Sequence, residues 1–211
     1  MKKLSILLLL LPLIIVGCKS NEEKAAELIK KELSKTLYDF DSYSPIETIV
    51  TEAKQSVYTD TTLWAKANIA LYTFNLASDY LEKANDAKEH MEIWGAPTSY
   101  SSSYSDRKYY KYKEEWNENM EKASTSYELF KVIAEGLKDT LQIVNTEKIV
   151  GWEVKHRFRC KTKGGHSTIG DYRYVMDEDF EKVLIHEDMD DDDSKNIRDM
   201  IKFIIDGGIE Q

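Results

Sequence analysis

The chain has 211 residues with 29 Lys and Arg against 38 Asp and Glu, a formal charge of −9 at pH 7. That balance argues against the chain as a whole gripping nucleic acid and leaves only a local basic patch able to do so. Two cysteines cannot build the disulfide framework of a small secreted scaffold, so stability must come from packing, for which the length suffices.

Lys2 and Lys3 precede a thirteen-residue, mostly apolar run from Leu4 to Val16, which Gly17 and Cys18 close. This is the order of charged, apolar and cleavage regions in a secretory signal, and the run falls short of the ~20 residues that span a bilayer as a helix. Ile15-Val16-Gly17-Cys18 resembles the lipobox of bacterial lipoproteins, which implies cleavage before Cys18 and acylation of its sulfur. Two or three acyl chains, at about 0.8 kcal/mol per buried methylene, anchor a protein stably where a single chain is marginal. The organisation expected is a signal peptide over 1–17 and one extracytoplasmic α+β domain over 18–211. Without the signal, 27 Lys and Arg face 38 Asp and Glu, a formal −11, and a lipidated Cys18 leaves Cys160 with no intramolecular partner.

Ser20-Asn21-Glu22-Glu23 matches a capping box and predicts a helix from that point, with Ala25, Leu28, Ile29, Leu33 and Leu37 on one face. The run Asp39 to Pro45 ends it. Ile46 to Ala53 fits a helix by spacing, but its Ile, Val and Thr content favours a short strand.

From Leu63, apolar residues recur in alternating steps of four and three through Ala67, Ala70, Phe74, Ala77, Leu81, Ala84 and Met91. Asp60 or Thr61 can cap the start, and Gly95-Ala96-Pro97 closes the run. A second helix from about Asp106 carries its stripe on Tyr109, Tyr112, Trp116, Met120, Ala123, Tyr127, Phe130, Ala134, Leu137 and Leu141. Two helices of about 33 residues joined by a loop of roughly a dozen predict an inserted antiparallel hairpin over about 60–141, near 50 Å long. Small alanines on the first helix would face large aromatics on the second.

The period changes to two at Val150. Val150, Trp152, Val154, His156, Phe158 and Cys160 alternate with charged residues, predicting a half-buried strand. A three-residue loop, Gly164 to His166, with a glycine at positive φ leads to a second strand, placing Tyr172 opposite Phe158 and Tyr174 opposite His156. A third strand, Lys182 to His186, completes a meander. The acidic run Asp188 to Asp193 then precedes a helix from about Ser194 to Asp206 with Gly207 beyond it. The fold class expected is α+β: a small antiparallel β-meander with flanking helices, meander and last helix lying over about 148–206, and the long helical hairpin inserted.

Leu37-Tyr38-Asp39-Phe40-Asp41-Ser42-Tyr43-Ser44-Pro45 after a short helix, together with Gly151-Trp152-Glu153-Val154 through Asp177, resembles small lipoproteins of the Bacteroidetes type that have no assigned activity. The likeness covers the two ends of the chain and not the central helices. It implies a cell-envelope address, on the periplasmic or surface face of the outer membrane, and carries over no catalytic residue. Asn21-Glu22-Glu23 resembles the acidic export signals that follow the cysteine in such lipoproteins.

Three stretches are candidates for chemistry. Lys155, Arg157, Arg159 and Lys161 form a basic row on one strand face, suited to lipid phosphates, an anionic glycan or the acidic loop of the same molecule, or else a solvated outer face or one that the inserted hairpin covers. Tyr100 and Tyr104, in the Ser-rich connector of the hairpin, have the Tyr and Ser mixture of adaptable binding loops, or mark an exposed tip. Asp188, Asp190 and Asp192 open a run with calcium-loop spacing, but Asp193 stands where the turn wants glycine and Asp199 is short for the last ligand position, so a solvated acidic loop at a helix N-terminus is the competing reading. The four histidines assemble no site by spacing, and His156, within an apolar strand face, reads as a hydrogen-bonded core residue. There is no nucleophile elbow, phosphate loop, HExxH or CxxC pair. The function expected is a membrane-anchored binding or interaction module with a protein or anionic glycan partner. A hydrolytic enzyme with a site assembled from distant residues is the alternative, and no cofactor other than Ca2+ is indicated.

Overall fold

A computed structural model describes residues 19–208; Cys18 and the stretch expected to be a signal peptide lie outside the described residues. The element order is α1 (Asn21–Thr36), β1 (Asp39–Lys54), α2 (Thr61–Trp94), α3 (Ser103–Ile143), β2 (Ile149–Lys161), β3 (Ser167–Met176), β4 (Val183–Asp188) and α4 (Asp192–Ile205). The fold is α+β, with an antiparallel four-stranded sheet in the order β1-β2-β3-β4 and a long helical pair inserted between two neighbouring strands. The chain forms two compact units, one of residues 19–52 with 151–186 and one of 53–150 with 187–208.

In the first unit, α1 starts where local chemistry directs. The Ser20 hydroxyl accepts from the Glu23 N–H at 3.2 Å and the Glu23 carboxylate accepts from the Ser20 N–H at 3.0 Å, satisfying two donors that the first helical turn leaves open. Ala25, Leu28, Ile29 and Leu33 form the buried face. They pack with Val154, Phe158, Cys160, Tyr174, Met176 and Phe180 from the sheet, so α1 covers the inner face, that of the even-numbered β2 residues. Lys19 pairs with Glu27 at 2.6 Å.

The strand expected over Ile46 to Ala53 is sixteen residues long and begins at Asp39, inside the run that read as a helix terminator. Two features make this possible. Pro45 lacks an N–H, which an edge strand tolerates, and β1 is at the edge of the sheet. The Asp39 carboxylate also accepts from the Ser42 N–H while the Ser42 hydroxyl donates to the Asp39 carbonyl. This local turn breaks the two-residue period, so Phe40 and Tyr43, three apart, share a face and stack at 5.5 Å and 9°.

The β2–β3 hairpin has a three-residue loop, but it is Lys163 to Gly165. Thr162 and His166 are joined by a backbone bond of 2.9 Å, the Thr162 carbonyl accepts from the Gly165 N–H at 2.8 Å, and Gly165 has φ +79°. The register therefore differs by two residues from the one expected: Phe158 faces Gly170, His156 faces Tyr172 and Val154 faces Tyr174. Faces are conserved under a shift of two, so turn and packing choose between the registers. The Phe158 ring lies over Gly170, where an added Cβ would sit 2.6 Å from the ring edge. The same ring meets Tyr172 edge-on at 5.1 Å across the diagonal. At the far end of the hairpin a Cβ on Gly151, at φ +141°, would overlap the Met176 carbonyl, so glycine is required there.

In the second unit, α2 and α3 have 34 and 41 residues. Asp60 caps α2 by accepting from the Thr62 and Leu63 N–H groups, and Gly95 ends it at φ +64°. Ser102 caps α3, which takes in Tyr104 and shortens the connector to residues 95–102. Leu63, Ala67 and Ala70 meet Phe130, Ala134 and Leu137 in one core that Met200, Ile201 and Ile204 of α4 complete. Of the aromatics expected to face the alanines, Phe130 alone is buried; Tyr127 is exposed, and Ala123, Ser126, Ala134 and Leu137 take the other buried places on α3. Thr73 is buried in the seam with its hydroxyl donating to the Ile69 and Ala70 carbonyls. Phe74 leans outward onto Phe130 at 5.2 Å and Phe203 at 6.3 Å. Among the described residues no helix is long and apolar enough to cross a membrane.

Candidate functional site

β2 presents two chemically different faces because its side chains alternate. On the inner face His156 is fully buried. One ring nitrogen, Nε2, lies 2.9 Å from the Tyr43 hydroxyl and the other, Nδ1, 2.9 Å from the Thr48 hydroxyl. Phe158 stacks on the imidazole at 5.5 Å, and Tyr43 adds a tilted contact at 6.0 Å. Burial without a charged partner holds the imidazole pKa down to about 4, so the ring is neutral at pH 7 and donates through one nitrogen while accepting at the other. Burial likewise raises the Tyr43 phenol. The two bonds hold the ring between hydroxyls, as expected for a core histidine; neither partner is a carboxylate that would orient it as a general base.

Beside this network is an open cleft of about 450 Å³ lined by Glu27 and Lys30 of α1 and by Phe40, Asp41 and Tyr43 of β1. Phe40 and Tyr43 fall in the run that predicts a helix stop. The alternation of Tyr38 and Phe40 with Asp39 and Asp41 is the signal that marks a strand there.

The outer face carries the basic row. Lys155, Arg157, Arg159 and Lys161 are all exposed, and among the described residues none of the four takes part in an ion pair. Across the ladder they face Arg173, Asp171, Ile169 and Ser167 respectively. Arg173 is buried and turned to Glu153 at 3.0 Å, so Asp171 is the one carboxylate that β3 sets opposite the row. The row is therefore continuous and solvated, with Asp171 of β3 opposite Arg157 near its middle.

The two tyrosines of the hairpin connector are separated in role. Tyr100 is 97 % exposed in a turn closed by Thr98 and Ser101. Tyr104, in the first turn of α3, packs edge-on against Trp94 at 5.5 Å with Lys108 over its ring. Tyr104 thus helps close the hairpin, and only Tyr100 projects freely.

The carboxylates of the acidic run are engaged locally. Asp188 ends β4, its carboxylate accepting from the Asp190 N–H at 3.0 Å. Asp191, outside the supposed ligand set, caps α4 by accepting from the Asp193 N–H. Asp192 is in the first helical turn beside Lys195 at 3.5 Å. The helix begins two residues earlier than expected and carries these carboxylates away from one another, each to a local N–H or to the positive end of the helix. Among the described residues no three His, Cys, Asp or Glu side chains are grouped to hold a metal.

Cys160 is a buried free thiol, its pKa raised by burial and by the nearby Asp39 charge, which makes it a packing residue rather than a nucleophile. No protein-family model matches this chain, and neither a curated protein nor a solved structure matches it.

Proposed function

We propose that this chain is a lipid-anchored binding module of the bacterial cell envelope, held at Cys18 in the outer membrane and engaging an anionic partner through the outer face of β2. The observation that carries the binding half is the row Lys155, Arg157, Arg159 and Lys161, exposed and without ion pairs among the described residues, on a chain of net charge −9. Retaining four unpaired like charges on one strand costs mutual repulsion, which an anion relieves. The anchoring half rests on the signal-like first seventeen residues and on Cys18 standing two residues before the helix cap at Ser20.

Mass spectrometry of the membrane-extracted protein tests the anchor: the mature chain should begin at an acylated Cys18, and Cys18→Ser should leave an uncleaved precursor. An intact Met1 or a free Cys18 thiol on the wild-type protein refutes it. Retention on an anionic matrix, lost when the four basic residues are replaced by glutamine, tests the binding surface; salt-independent retention, or none, refutes it. Protease shaving of intact cells separates the surface face from the periplasmic one.

A further inference from the structure

The geometry of the row narrows the partner, on the premise that the outer face of β2 binds anions as proposed above. We infer that this face takes an extended acidic polysaccharide lying along the strand, whose carboxylate or sulfate groups meet Lys155, Arg157, Arg159 and Lys161 in turn.

Alternate residues on an antiparallel strand stand about 6.8 Å apart, so the four cations form a line about 20 Å long. They lie on an open sheet face and line none of the clefts described, so a single small anion would reach one or two of them in full solvent, where such pairing is weak. A repeating polyanion gains what the small anion cannot, because each contact after the first is intramolecular. The row is carried by a central strand, flanked by β1 and β3, so its spacing is rigid. A stiff, already extended chain therefore loses little conformational freedom in matching it.

A membrane surface fits less well. The inner face of the sheet is covered by α1, through Ala25, Leu28, Ile29 and Leu33, and the row is on the opposite face. The proposed tether at Cys18 enters the chain at α1, the element packed on the face opposite the row. Single-stranded nucleic acid would call for aromatic platforms beside the cations; the β3 neighbours on this face are Ile169, Asp171 and Ser167.

Asp171 supplies a sensitive test. It is exposed and opposes Arg157, so it repels the same ligand that Arg157 attracts.

The experiment is a titration of the detergent-solubilised full-length protein with end-labelled oligogalacturonates of one to eight units, read by fluorescence anisotropy. Affinity should rise steeply with length until the oligomer covers the row and then level off, and should fall as salt is raised. Arg157→Gln with Arg159→Gln should weaken the longest oligomer about tenfold, at about threefold per exposed cation. Asp171→Asn should strengthen it about threefold by the same reasoning, a gain that damage to the fold could not produce. Length-independent binding, or an Asp171→Asn variant no tighter than wild type, overturns the inference. Row-dependent binding to vesicles of one-third phosphatidylglycerol with none to the oligomers overturns the polysaccharide and leaves the anionic surface standing. Binding to neither, and no retention on an anionic matrix, overturns both.

Discussion

Replacing Gly170 by alanine tests the force that selects the register of the sheet. The added Cβ would lie 2.6, 2.8 and 3.2 Å from three carbons of the Phe158 ring, against about 3.5–4.0 Å for an ordinary carbon contact. The ring must retreat by about 1 Å, yet it is 1 % exposed and wedged by Tyr43 at 5.6 Å, His156 at 5.5 Å and Tyr172 at 5.1 Å. Overpacking of this kind costs about 1–3 kcal/mol, and the loss of glycine's unfolded-state freedom returns about 0.4–1 kcal/mol. The net expectation is a destabilisation of about 1–2 kcal/mol, read as a fall in the urea midpoint followed by near-UV circular dichroism. Gly136→Ala is the control: it is in the middle of α3 with nothing within 4 Å of the new methyl, and should stabilise by about 0.5–1 kcal/mol. Pairing Gly170→Ala with Phe158→Leu should cost less than the sum of the two single changes, because the smaller side chain vacates the space. If Gly170→Ala is neutral or stabilising, or the two changes are strictly additive, the Phe158 ring does not hold the register.

His156 makes folding pH-dependent: its folded pKa of about 4 is below the ordinary ~6.5, so its contribution is complete above pH 6.5 and is lost progressively as pH falls to 4, where it levels off. Wild type should lose up to about 3 kcal/mol more than His156→Gln between pH 7 and pH 4, and an imidazole titrating near 6.5 by NMR would refute this. In the second unit, the Glu187 carboxylate is 1 % exposed and held by Arg198 through Nε at 3.1 Å and Nη2 at 3.0 Å. Arg198→Ala should therefore cost about 3 kcal/mol in chemical denaturation by removing the two-bond partner of a buried carboxylate, and a loss under 1 kcal/mol would refute that weight for the pair.

Most elements were legible because their causes lie within a few residues. The Ser20–Glu23 box, the Asp60 cap, the Gly95 stop and the two-residue alternation of β2 each depend on neighbours in sequence, and each appears where the pattern predicts. The errors fall where the cause is distant. β1 read as a loop followed by a short strand because Asp39, Ser42, Ser44 and Pro45 are turn formers, yet edge placement and the hydrogen bond from the Lys161 N–H to the Ser42 hydroxyl hold them extended. The acidic run offered calcium spacing, but α4 starts at Asp192, with Asp191 as its cap and Asp192 in its first turn beside Lys195. The site was legible in part: the basic row follows from alternation alone, whereas the placing of Asp171 opposite Arg157 depends on a register that the residues of β2 and β3 leave open by two.

The sequence by itself determined the presence of the helices, the caps of α1 and α2, the helical pairing and the two-faced character of β2, since hydrogen-bond period and side-chain alternation are local properties of the chain. Only the tertiary structure decided which residue faces which. It placed Phe158 over Gly170 and brought Tyr43 to His156 across 113 residues. Those choices belong to the packing of side chains far apart in the chain, where shape and a shared hydrogen bond separate arrangements that the periodic pattern leaves equal.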